Sequence, residues 1–409
     1  MNLSEKWDFD WNELGAILDG ESMIDMTKLK NFSWEDAAEY LYRYGYDMNN
    51  FEHRRKLDAV RIESWYFIQS TLMPKEWARG NTPPEELIKA HDARTILLMA
   101  SDESEENYEK RVWACAVLRV MHTITHIDGG NRFVEIEKAR SQIIDRYSKH
   151  LFRNENQDLC FGTKEFHTII DRVEWKYQKP RHSVIIKLLH KKGNVAETIH
   201  DLLGIRIVVK NLYDILLVLK ILLEQHIVVF ANLHPSRTRN NLFQLSDFKN
   251  SLELLKNMMK QKHLTETVFY DLLEGMMGAH MPNIKQHSNP HSSKMYRSVQ
   301  LTCRHLVRLP SFKSNILSNL KDIAGAVQES GSDSNIIRDV SFLIENMLWD
   351  EGEEDTAFYP YELQLVDRKT ADSNKIGEAS HANYKKLQLR SARRRVLAGV
   401  LTLKRNKKK

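Results

Sequence analysis

Apolar residues recur at three- and four-residue spacing through the first 150 residues, the signature of helices with one buried face. The runs AAEYLYRYGYDM (37–48) and AVRIESWYFIQSTLM (59–73) carry this period, as does Tyr108 to Ile127, which Asp128-Gly129-Gly130 should end. Ser33 with Asp36 reads as a capping box, and Thr82-Pro83-Pro84-Glu85 as a second helix start with proline at the first helical position. A further helix is expected from Arg132 to about His150. No β-rich stretch interrupts this part, so residues 1–150 are expected to form an all-helical domain.

From about residue 155 the pattern changes to short apolar runs alternating with helical ones. A helix is expected around FHTIIDRV (166–173), then a strand Ile205 to Val209, a helix Leu212 to Gln225 and a strand His226 to Phe230. Residues 232–290 form a polar, mostly helical interruption that ends in the loop-like NIKQHSNPHSSK. A strand Tyr296 to Val307 follows, then a second interruption at 309–356, with two helices around a Ser-rich loop and an acidic end. A strand Tyr359 to Val366 and a last helix from near Gly377 complete the pattern. The expected class is α+β, with the helical region followed by a mixed sheet flanked by helices over 151–385 and a basic helix or tail over 386–409.

Composition alters this picture little. A net charge of +5 is modest, but eleven Lys or Arg and no acid lie between Lys385 and Lys409. Such a segment suits RNA or another acidic surface, and suits solvent equally well. The three cysteines, Cys115, Cys160 and Cys303, lack metal-ligand or disulfide spacing, which fits a reducing cytoplasm. The N-terminal MNLSEKWDFDWNELG has no apolar core of a leader, and the apolar run Leu212 to Leu223 is short and holds Asp214 and Lys220. A cytoplasmic protein without a membrane span is expected; the oligomeric state is left open.

The densest candidate chemistry lies in KYQKPRHSVIIKLLHKKGNVAETIHDLLGIRIVV (176–209). Lys176, Lys179 and Arg181 fill a basic loop, Ser183 stands as a helix cap, Lys187 follows on the helix, and Asp201 and Arg206 flank a glycine at the mouth of a strand. Clustered cations beside a carboxylate suit a polyphosphate with its Mg2+.

This pattern, K-x-x-x-S-[IV]-x-x-K followed by D-L-[LA]-[GA]-I-R, resembles the synthetase domain of RelA/SpoT-type alarmone enzymes. Tyr296-Arg297-Ser298-Val299 resembles that family's G-loop. YELQL (361–365) and GEASHANYK (377–385) resemble its E-x-Q strand and closing G-x-A-A-H-x-x-Y-K. The resemblance implies a nucleotidyltransferase-like sheet that transfers pyrophosphate from Mg-ATP to the 3′-hydroxyl of GDP or GTP. It implies Asp201 and Glu362 as the metal-binding and catalytic carboxylates, and Lys179, Arg181, Ser183, Lys187 and Arg206 as the ATP-binding set. Arg206 would stack on adenine. Tyr296, Gln364, His381 and Lys385 would hold the acceptor. Against the family pattern, 232–290 and 309–356 are insertions.

The sequence also departs from that pattern. Tyr177 stands where the family often has Arg, Met295 and Gln300 replace the Gly and His of the G-loop, and Val366 replaces an Arg on the last strand. These departures bear on the acceptor, which could instead be the 3′ end of tRNA or another RNA reached through the basic tail. They also suit a synthetase fold that binds nucleotide or RNA without transfer. Two further features are weighed against packing roles. His122 and His126 sit four apart as metal-binding pairs do, and His53 with His91-Asp92 has the residue types of an HD-type hydrolase. Neither has the remaining ligands nearby, and both are read as packed or surface side chains.

Overall fold

The fold was derived from a computed structural model that describes residues 31–73, 82–128, 136–176, 179–190, 202–261, 264–279, 293, 295–309 and 355–406. The first helices are α1 (Trp34–Arg43), α2 (Phe51–Phe67, prolonged by a π turn at Ile68–Leu72), α3 (Glu85–Lys89), α4 (Ala93–Ser101), α5 (Tyr108–Asp128) and α6 (Ile136–Ser148). The Ser33 capping box forms, with both reciprocal bonds to Asp36. The second expected box does not. Pro84 itself occupies the cap position of α3 without a side-chain bond, because Thr82 lies too far before the first turn. α5 is the hub of this region: twelve of its residues are buried, Trp113 among them with Trp65 packed edge-on.

A seven-stranded mixed sheet follows, in the order β1-β2-β3-β4-β7-β6-β5. Its strands are β1 (Leu151–Arg153), β2 (Leu159–Gly162), β3 (His167–Lys176), β4 (Leu203–Val209), β5 (Arg239–Asn240), β6 (Val299–Leu309) and β7 (Asp355–Asp367). β4 and β7 run parallel and the other pairs antiparallel. The helix expected at 166–173 is therefore strand β3. Ile169, Ile170 and Val173 fall at a helix-like spacing, but a bulge between Ile170 and Arg172 breaks the two-residue alternation, and the β-branched side chains favour a strand. The strand expected at His226–Phe230 is absent too. His226 turns the chain at φ 52, Ile227 and Val228 plug the core, and a 3-10 turn occupies Phe230–Asn232.

Further helices are α7 (Arg181–His190), α8 (Asp214–Glu224), α9 (Leu245–Lys260), α10 (Glu266–Ala279), α11 (Arg368–Ser373), α12 (His381–Val396) and α13 (Ala398–Asn406). The interruption at 232–290 contains the helical pair α9–α10, which is tied to the sheet domain. Glu274 of α10 accepts the Leu212 N–H at 2.9 Å, at the start of α8, and Tyr270 stacks on Tyr213. The interruption at 309–356 lies almost wholly outside the described residues. The last helix begins later than expected, after a 3-10 turn at Gly377–Ala379, with Ser380 as its cap.

The basic C-terminal segment packs back on the N-terminal helices. Ala392, Val396, Leu397 and Val400 are buried, and α13 lies against α5. Arg393 donates to the Leu72 carbonyl at 2.5 Å, and Arg395 to the Leu189 carbonyl at 3.1 Å. Both carbonyls sit at helix C-termini, where cations satisfy orphan acceptors. One hydrophobic core joins both halves of the chain. Among the described residues no helix is long and apolar enough to cross a membrane.

The two histidines of α5 lie at the edge of this core, His122 half-buried and His126 exposed: His122 Nδ1 meets the Tyr44 hydroxyl at 2.7 Å and its ring lies 4.4 Å from that of His126. Burial, with repulsion from His126, draws the His122 pKa down to about 4; burial and then Arg146 do the same to His305. The unfolded chain takes up these protons near pH 6.5 while the folded chain refuses them, so stability present above about 6.5 is lost as pH falls toward 4. The unfolding midpoint should drop by several degrees between about pH 7 and about pH 4.5, and His122→Gln should flatten part of that fall. A midpoint constant over this window would contradict the packing of neutral rings. His53 and Asp92 are likewise engaged locally: His53 Nδ1 accepts the Asp47 N–H, and Asp92 caps α4 while pairing with Arg94.

Candidate functional site

Strand alternation assembles one polar face on the sheet. The register pairs Lys176 with Gly204, Gly204 with Glu362, and Glu362 with Thr302; the next rung pairs Glu174 with Arg206, Arg206 with Gln364, and Gln364 with Gln300. All eight share one face, because neighbouring strands keep their alternation in step. The opposite face holds Trp175, Ile205, Tyr361, Leu363 and Leu301, where Tyr147 of α6 meets Trp175 edge-on and bonds the Tyr361 hydroxyl at 3.1 Å. An apolar underside thus anchors the strands that carry the polar side chains.

On the polar face the side chains form a continuous network. Gln364, only 6% exposed, donates through Nε2 to Glu362 Oε1 at 2.7 Å, and Gln300 Nε2 donates to Glu362 Oε2 at 2.6 Å. Gln364 Oε1 accepts from Lys176 Nζ at 2.9 Å, Arg206 Nε and Nη2 at 3.1 and 3.0 Å, and the Tyr296 hydroxyl at 3.3 Å. Arg206 Nη1 donates to Glu174 Oε2 at 3.0 Å and Nη2 to the Tyr296 oxygen at 3.2 Å. The edge of the guanidinium is therefore committed within its plane. Its flat face is left for stacking.

The electrostatics follow from this crowding. Although Lys176 as a whole remains exposed, desolvation of its ammonium, with Arg206 adding repulsion and Glu362 opposing, draws its pKa down to about 8. Burial pushes the Glu174 carboxyl up, but Arg206 and Arg172 outweigh it and hold the group below its usual range. Desolvation lowers His381, and Lys385, Lys176, Lys179 and Arg206 lower it further, which sets all four cations close to this ring. Among the described residues no cation pairs directly with Glu362; its two oxygens accept from neutral amides.

The structure brings together Glu362, Gln364, Arg206 and Tyr296, with His381, Lys385 and Lys179 within electrostatic reach. It sends Arg181 elsewhere. That guanidinium grips both oxygens of Glu63 and both of Asp128, at 2.6 and 2.9 Å each, joining α7 to α2 and α5 rather than lying among the site cations. Two carboxylates on facing helices outcompete solvent for a bidentate donor. Ser183 is no cap, because α7 already begins at Arg181; its N–H donates to the Pro180 carbonyl at 2.8 Å. Lys187 lies in the last turn of α7. Asp201 lies outside the described residues.

Several members were not anticipated. Glu174 is one: it shares a face of β3 with Lys176, which the sequence placed in the basic loop rather than on a strand. Asn241 and Asn374 clamp the stretch around Ser298 from two sides. Asn241 donates to the Tyr296 carbonyl at 2.6 Å and accepts the Ser298 N–H at 2.7 Å, and Asn374 bonds both backbone groups of Arg297. Two departures from the family pattern also find their place. Gln300 orients Glu362, and Val366 is buried with Val208 and Ala371 of α11.

Of the two carboxylates on this face, Glu174 is engaged by Arg206 and Arg172, which leaves Glu362 for a metal, and among the described residues no group of three or more potential ligands surrounds a common point. Mg2+ bound mainly through nucleotide phosphates needs only one or two carboxylates, so Glu362 fits that use. Compared with protein-family models and with curated proteins, the sequence matches none.

Proposed function

We propose that this chain is a pyrophosphokinase of the RelA/SpoT type, moving the β,γ-pyrophosphoryl group of ATP to the 3′-hydroxyl of a guanosine nucleotide. The observation that carries this reading is the convergence of Arg206, Tyr296, Glu362 and Gln364 on one sheet face, beside Lys176, Lys179, His381 and Lys385. These residues come from four separated segments, and the motifs that resemble the family supply most of them.

In this reading the cations hold the triphosphate and neutralise charge in the transition state. Arg206 offers its face to adenine while Glu174 and Gln364 fix its edge. Tyr296 stands beside Arg206, where the acceptor base would stack. Glu362, held by two amides and without a direct cation partner among the described residues, takes the proton of the attacking hydroxyl. The oxygen of that hydroxyl bonds the β-phosphorus as the bond from this phosphorus to the AMP oxygen breaks. Glu362, with Asp201 by the resemblance, would hold Mg2+ together with the phosphates, and the ion would neutralise charge at the moving group.

A free nucleotide is preferred to RNA as the acceptor in this reading, supported by Arg393 and Arg395, two of the eleven cations of the basic segment, which are committed to helix carbonyls. The test is AMP release from labelled ATP and Mg2+ with GDP, GTP or bulk tRNA supplied separately. AMP should form with GDP or GTP. Formation with tRNA alone would move the acceptor to RNA, and no AMP with any acceptor would leave a protein that binds without transfer.

A further inference from the structure

Gln364 Oε1 is a neutral oxygen with more donors than it can satisfy. Lys176 Nζ, Arg206 Nε and Nη2 and the Tyr296 hydroxyl all lie between 2.9 and 3.3 Å from it. An amide oxygen has two lone pairs. Two of the three donating side chains are cations, which bond far more strongly to an anionic oxygen than to an amide. The ammonium of Lys176 carries three N–H donors, and among the described residues Gln364 is its sole hydrogen-bond acceptor, with no carboxylate at ion-pairing distance.

The path of this side chain is built into the sheet. Lys176 ends β3 opposite Gly204, and a Cβ on that glycine would come within 3.3 Å of Lys176 Cβ and Cδ. The bare backbone of β4 lets the lysine stem cross to β7. Residue 177, where the resemblance expects an arginine, is a tyrosine. A positive charge is supplied one residue earlier.

We infer that Lys176 is a phosphate-binding residue of this site, which exchanges Gln364 for an oxygen of a nucleotide polyphosphate when the ligand enters. The inference rests on the function proposed above and names a residue that the resemblance does not supply. Arg206 stays pinned by Glu174 during this exchange, so Lys176 is the cation with donors to spare.

Titration calorimetry with MgATP and with inorganic tripolyphosphate tests it on the full chain. Lys176→Ala and Lys176→Gln should each weaken both ligands by about tenfold or more, whereas Lys176→Arg should stay within about threefold of wild type. The Gln variant keeps a polar stem able to bond Gln364, so its loss isolates the charge. If Lys176→Gln binds as wild type while Lys176→Ala does not, the residue packs the site and the inference falls. If both bind as wild type, the inference falls and the proposed function stands. A wild-type protein that binds neither MgATP nor tripolyphosphate removes the proposed function and this inference together.

Discussion

Glu362→Gln should leave the protein folded and reduce AMP release by about a thousandfold, within the range expected for loss of a proton acceptor. The substitution is nearly isosteric, so its structural cost can be followed through the network. The new amide offers one acceptor to two amide donors, those of Gln300 and Gln364. One of these must turn over. Gln364 is held in its orientation by Lys176, Arg206 and Tyr296, which all donate to its oxygen. Gln300 is the freer of the two; turned over, its oxygen would accept from the new amide. The stability change should stay within about 1–2 kcal/mol, the scale of one rearranged hydrogen bond. Glu362→Asp shortens the side chain away from both amides and should recover little activity. Activity within tenfold of wild type in Glu362→Gln would remove this residue from the chemistry, and a large drop in unfolding midpoint would make any activity loss uninformative about mechanism.

Much of the architecture was legible because long periodic segments report their own burial. α5 and α2 follow from apolar spacing, and the Ser33 capping box from two residues three apart. β4 and β7 read as apolar runs because each packs its alternate residues against the core. The failures share one physical cause: tertiary partners override local pattern. The β3 bulge hides an alternation that only pairing with β4 makes regular. Ile227 and Val228 are apolar because they fill the core, and among the described residues they pair with no strand.

The site was legible where a residue's neighbours in sequence are also its neighbours in space. Glu362 and Gln364 stand two apart on one strand face, and the structure joins them directly. Arg181 lies in the same basic stretch as Lys179, yet its partners are Glu63 and Asp128, 118 and 53 residues away in the chain. Charge alone could not foretell that destination. Glu174 escaped notice for the converse reason: as a lone acid before a basic loop it carries no motif, and its value comes from Arg206 on the adjacent strand.

The C-terminal segment, for all its charge, should prove to be a structural element. Ending the chain after Ser391 removes Val396, Leu397 and Val400, each at most 2% exposed, together with Ala392. Burial of a Val or Leu side chain contributes about 1.5–3 kcal/mol, so these three account for about 5–9 kcal/mol. That is comparable with the total stability of an ordinary domain, about 5–15 kcal/mol. The truncated chain should be insoluble or lose its cooperative unfolding transition, the more so because Arg119 loses the Val396 carbonyl it bonds at 2.8 Å. Gly399→Ala is the milder probe. The added Cβ would meet Val112 Cγ1 at 2.7 Å and Cβ at 2.9 Å, forcing α13 off α5, at a cost of about 1–3 kcal/mol. Removing Lys404 to Lys409 spares all of these contacts and should shift the midpoint by no more than about 1 °C per few tenths of a kcal/mol lost. The three variants thus predict a graded series in urea or thermal unfolding. A chain ended at Ser391 that unfolds at the wild-type midpoint would contradict the packing of α12 and α13, and would return the basic segment to the role of a solvated arm.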